Sequence, residues 1–84
     1  MRFSLSNEQW EHLCGCAEVV SDFPATIGSF LKYFSERKNL GNFNFVYDYA
    51  SKKYGIWYSD QLERFDSEEL IDAMFDMFCH LEGV

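Results

Sequence analysis

Residues 42–60 read NFNFVYDYASKKYGIWYSD, and the spacing of their rings decides the fold. Phe43, Phe45, Tyr47 and Tyr49 recur every second residue, with Asn44, Val46 and Asp48 between them. That alternation belongs to a strand with one buried face. ASKK then supplies a four-residue turn, and the rings resume at Tyr54, Trp57 and Tyr58. A hairpin built on that turn sets Tyr49 against Tyr54, Tyr47 against Ile56 and Phe45 against Tyr58. A tight turn at Ser59–Asp60 returns QLERF as a third strand, with Phe65 beside Tyr54.

In this register Phe43, Phe45, Tyr47, Tyr49, Tyr54, Ile56, Tyr58 and Phe65 share one face. The other face carries Val46, Trp57 and Leu62 in a row across the strands, among Asn44, Asp48, Gly55, Ser59 and Arg64. A slip of one residue would exchange the two faces.

Helical spacing flanks the hairpin on both sides. In LSNEQW, Ser6 caps a first helix, Gln9 reaches back and Leu5 staples to Trp10. The helix is expected from Asn7 to Ser21, burying Trp10, Leu13, Cys14, Ala17 and Val20. Asp22 then caps a second helix over Pro24–Arg37, proline being suited to a first turn. Its inner face is Ile27, Phe30, Leu31 and Phe34, and NLGN ends it. FDSEEL repeats the first start signal, with Asp66 as cap, Glu69 reaching back and Phe65 stapled to Leu70. The last helix is expected over Ser67–Glu82, burying Leu70, Met74, Met77, Phe78 and Leu81, with Gly83 as its stop.

The expected order is α-α-β-β-β-α, an α+β two-layer fold with helices on one face of a three-stranded antiparallel meander. Residues 1–84 are read as a single domain. Sixteen residues are Phe, Trp or Tyr, and each buried ring removes roughly 150–250 Å² from water, which suits a small core. No run of about 18 apolar residues exists, so no membrane span is expected. MRFSLSNEQW lacks a hydrophobic signal region, and three cysteines do not suggest a disulfide framework. Both point to a cytoplasmic protein.

The formal charge is −7. Residues 1–53 hold six acids and six bases, whereas residues 54–84 hold eight acids and Arg64 alone. Such a balance disfavours direct nucleic-acid binding, which needs clustered Lys or Arg. It favours a protein partner with a basic surface. Glu68, Asp72 and Asp76 are spaced by four and line one face of the expected last helix. With Asp60, Glu63, Asp66 and Glu69 added, residues 60–76 hold seven acids against one arginine, and carboxylates a helical turn apart resemble a row of phosphates in spacing and sign. A solvated face that keeps an aromatic-rich chain in solution is the simpler reading of the same acids.

Chemistry has fewer anchors. The sequence contains no nucleophile elbow, phosphate loop or H-E-x-x-H motif, so no enzyme activity, catalytic residue or cofactor is expected. His12 and Cys16 stand four apart, and Cys79 or His80 could complete a metal site with them. The CGC spacing splays its thiols, however, and ordinary buried cysteines fit better.

In size, charge and lack of catalytic motifs, the chain is similar in general character to small acidic inhibitors encoded by phages and plasmids. These include anti-CRISPR proteins, DNA mimics and toxin-neutralising immunity proteins. The similarity rests on no alignable motif and assigns no residue. The expected role is a protein-binding inhibitor that occludes a basic, nucleic-acid-binding surface of an enzyme. Its expected contacts are Tyr54, Trp57, Asp60, Glu63, Glu68, Asp72 and Asp76. The alternatives are a homodimer or adaptor using the Val46–Trp57–Leu62 face, and a metal-stabilised module.

Overall fold

The computed structural model describes residues 1–16, 23–61 and 63–84. Its elements are α1 (Asn7–Gly15), α2 (Ile27–Ser35), a 3-10 turn (Lys38–Leu40), β1 (Phe43–Asp48), β2 (Lys53–Tyr58), β3 (Arg64–Ser67) and α3 (Leu70–Glu82). The strands form an antiparallel sheet in the order β1-β2-β3. This is the expected α+β arrangement.

The register differs from the expected one by two residues. Phe43 opposes Tyr58, Phe45 opposes Ile56 and Tyr47 opposes Tyr54. The loop is Tyr49–Lys52, one residue earlier than ASKK, and Lys52 takes a positive φ of 56°. Asp48 fixes that start, because its Oδ1 accepts from the Ala50 N–H at 2.9 Å, an Asx turn. Since the shift is even, every side chain keeps its face. The second connection spans residues 59–63, so Phe65 opposes Ile56 and not Tyr54.

Helix starts were the less legible feature. The capping box of Ser6 and Gln9 forms as expected. Among the residues expected to be buried by α1, Leu13 is, while Trp10 and Cys14 are exposed; Ala17, Val20 and the expected extension to Ser21 lie outside the described residues. Helix α2 begins at Ile27 with Thr26 as its cap, not at Pro24. Residues 3–5 explain this, since Leu5 N–H donates to Ala25 O and Ile27 N–H to Phe3 O, each at 2.9 Å. The chain before α2 is thereby held extended. The expected cap, Asp22, lies outside the described residues.

Asp66 does not cap α3. Asp66 and Ser67 pair with Gly55 and Tyr54 as the end of β3. Glu69 occupies the cap position without a side-chain cap bond. Gly83 closes the helix in the left-handed region, as expected.

Helix α3 lies against β2 and β3. It buries Leu70, Ile71, Ala73, Met74, Met77 and Phe78 over Ile56 and Tyr58. Helix α2 adds Phe30 and Phe34, and Phe34 stacks on Phe43 with ring centres 5.0 Å apart. Leu31, expected inside, is exposed. The helices cover the β2 side of the sheet more fully than β1. Phe45 and Tyr49 share the helix-side face yet are 60% and 85% exposed.

Candidate functional site

The face of the sheet turned away from the helices is built by three cross-strand rows. Asn44, Trp57 and Arg64 form one row; Val46, Gly55 and Asp66 the next; Asp48 and Lys53 the last. The expected trio of Val46, Trp57 and Leu62 therefore does not form. Trp57 stands between Asn44 and Arg64, because both loops place the strands two residues from the expected register; Leu62 lies outside the described residues. Trp57 and Val46 remain on this outer face and outside the core cluster.

Arg64 organises the face. Its guanidinium lies 5.2 Å from the centre of the Trp57 ring, a cation–π distance. Its Nε donates to Asp66 Oδ1 at 2.8 Å. Gly55 makes this possible, since a Cβ there would come within 2.5 Å of Arg64 Nη2 and Asp66 Oδ1. Asp48 joins the same group. The N–H of Ala50 and hydrogen bonds from Ser51 hold its carboxyl below the usual range, with a smaller contribution from Arg64. The outer face thus presents an indole under one guanidinium at one end, with the Asp66 carboxylate in the next row and Asp48, opposite Lys53, in the row beyond.

The other expected contacts are distributed unevenly. Asp60 and Glu63 are exposed in the β2–β3 loop, and Glu68 is exposed just beyond β3. All three border the sheet. Glu63 also approaches His80 Nε2, at 3.5 Å. Tyr54 lies on the helix side, against the core and 4.8 Å from the Tyr47 ring, so it does not join Trp57.

The expected helical row of Glu68, Asp72 and Asp76 does not form as one exposed stripe. Glu68 precedes α3. Asp72 is held by the N-terminal segment, accepting from Arg2 Nη2 at 2.8 Å and from Gln9 Nε2 at 2.7 Å. Asp76 itself is exposed, and partial desolvation of its carboxyl, then the neighbouring Asp72, raise it above its usual range. Sequence spacing could not reveal the role of Arg2, which comes from 70 residues away.

The residues considered for metal binding make other contacts. His12 Nε2 lies 3.0 Å from Val84 O, and its ring packs on Phe75. His80 packs against Phe65. Burial, with Asp76 and Cys16 nearby, pushes the Cys79 thiol up to about 11, which keeps it protonated at neutral pH. Among the described residues, no group of three or more His, Cys, Asp or Glu side chains is placed to hold a metal ion. Among those residues, too, no helix is long and apolar enough to cross a membrane.

All three arginines have carboxylate partners: Arg2 with Asp72, Arg37 with Glu82 and Arg64 with Asp66. The Arg37 pair also takes in the Tyr33 hydroxyl and joins the ends of α2 and α3. Two of these pairs bind distant elements together, and only the Arg64 pair lies on the outer face. In comparisons with protein-family models, curated proteins and solved structures, nothing matches the chain.

Proposed function

We propose that this chain is a stoichiometric protein-binding inhibitor that uses the outer sheet face to occlude a basic, nucleic-acid-binding surface of a partner enzyme. The observation that carries the reading is the placement of Trp57 on the face left open by the helices, between Asn44 and Arg64, with Asp66 and Asp48 further along the same face and Asp60, Glu63 and Glu68 at the borders of the sheet. An aromatic anchor surrounded by charge is the usual composition of an interface hot spot. The net charge of −7 steers a basic partner toward the molecule, and the indole supplies desolvated contact area once it arrives. Asp72 and Tyr54, expected at the same surface, are assigned to holding the fold, and Asp76 lies on α3, away from the outer sheet face.

The test is capture of a partner by immobilised wild-type chain, by Trp57→Ala and by a variant with Asp60→Asn, Glu63→Gln and Glu68→Gln. The wild type retains a basic protein at low salt, and added nucleic acid releases it. The neutralised variant captures it more slowly, and Trp57→Ala loses it faster once bound. Equal capture by all three proteins, indifferent to salt and nucleic acid, would sink the proposal.

A further inference from the structure

The two edges of the sheet are protected very differently. β3 is short and carries Arg64 and Asp66. Short length and charge are the usual means of blunting an edge. β1 is six residues long, carries no lysine or proline, and has one charge, Asp48, at its end. It is regular, pairing residue for residue with β2.

The direction of its free backbone groups follows from one bond. Ser59 N–H donates to Asn42 O at 3.0 Å, which makes that position a hydrogen-bonded pair. Alternation along an antiparallel ladder then turns the N–H and C=O of Asn44, Val46 and Asp48 toward β2. Those of Phe43, Phe45 and Tyr47 point outward, away from the sheet. Among the described residues these outward groups have no partner, so the residues with free backbone groups are also the ring-bearing ones, and Phe45 is 60% exposed.

We propose that β1 is the seam of a homodimer, in which Phe43–Asp48 of two copies pair antiparallel about Phe45 to make one six-stranded sheet. The register is set by the backbone. Only a two-fold axis at Phe45 pairs all three outward-facing residues within the strand, matching Phe43 to Tyr47 of the second copy and Phe45 to its own equivalent. Every outward N–H then meets an outward C=O. The rings of the two copies meet on one face, in the cross-strand arrangement that stabilises sheets. On the other face Asn44 meets Val46 and Asp48 meets Asn42, so no two like charges stand opposite each other. A second copy of an acidic chain is thus accommodated at the one stretch of sheet edge where its charge is nearly absent. The Trp57 face stays open in such a dimer and is doubled in extent, so this proposal stands apart from the inhibitor reading.

Analytical ultracentrifugation over a range of concentrations tests it, with hydrogen exchange on the same samples. The wild-type chain of 9.9 kDa is expected to double its mass as concentration rises. The amides of Phe43, Phe45 and Tyr47 should gain protection in step. Phe45→Lys places two ammonium groups opposite each other at the axis, and is expected to remain a folded monomer by circular dichroism. Tyr49→Lys, just beyond the strand, should still dimerise. A wild type that stays monomeric at every concentration overturns the proposal. A dimer indifferent to Phe45→Lys, with those three amides unprotected, overturns it too. Protection of the three amides in a monomer bound to another protein would assign the edge to a foreign strand and equally exclude a second copy.

Discussion

Replacing Asp72 with Ala should destabilise the fold and leave partner capture intact. The Asp72 carboxylate receives Arg2 Nη2 at 2.8 Å and Gln9 Nε2 at 2.7 Å on the same oxygen. Gln9 is also half of the α1 capping box, and the Arg2 backbone N–H donates to Glu69 at 2.9 Å. One carboxylate therefore fastens the N-terminal segment and α1 to the first turn of α3. The Arg2 and Asp72 side chains are 43% and 31% exposed, so their ion pair contributes at most about 1 kcal/mol. Adding a solvent-weakened charged hydrogen bond from Gln9 gives a total loss of about 1.5 kcal/mol. For a domain of this size, that lowers Tm by about 6–12 °C. Scanning calorimetry of the wild type, Asp72→Ala, Arg2→Ala and the double variant measures both the loss and the coupling. The expected coupling is about 0.5–1 kcal/mol. An unchanged Tm together with lost capture would refute this reasoning and return Asp72 to the contact surface.

Asp76→Asn should act in the opposite direction. Partial desolvation and Asp72 raise its carboxyl in the folded chain, so the ionised form opposes folding once pH exceeds the folded value. The substitution is expected to raise Tm near about pH 7 and to change little below the unfolded carboxylate value of about 3.9; a lower Tm at neutral pH would contradict it. Tyr58→Phe removes a hydroxyl that donates to Phe34 O at 2.7 Å. That carbonyl keeps the Arg37 N–H at 3.2 Å, so the expected loss in a urea titration is only about 0.5–1.5 kcal/mol, and a loss several times larger would contradict this accounting. For the thiols, mass spectrometry after brief alkylation at neutral pH should find exposed Cys14 modified well before Cys79, whose thiol sits up at about 11. The reverse order would show that α3 opens at that position.

Element order was legible because it rests on local periodicity. The rings of residues 43–58 alternate, and the apolar residues of α3 recur at three and four. The faces of the strands were legible for the same reason, and survived a hairpin register that was off by two. What sequence could not supply were contacts between distant residues. FDSEEL carries the same start signal as LSNEQW, yet Asp66 and Ser67 are claimed by β2, and Asp66 binds Arg64. Pro24 suits a helix start, but residues 3–5 hold the preceding chain extended.

The acidic row was misleading in the same way. Spacing placed Glu68, Asp72 and Asp76 in line without showing that Arg2 would cross over to Asp72. One signal was available and would have corrected the hairpin. Asp48 stands two residues before Ala50, at the start of a polar loop, and an Asx turn there sets the loop at residues 49–52. The Arg64–Trp57 contact had no comparable local cue, because it depends on the β2–β3 register and on the missing side chain at Gly55.

The proposed role of the outer sheet face is tested most directly by hydroxyl-radical footprinting of the chain, free and in complex with its captured partner. Val46, Trp57 and Arg64 are expected to become protected in the complex, while Tyr54 and Phe75 react as they do in the free chain. A complex in which Trp57 stays as reactive as before, with protection confined to the helix side, would contradict it.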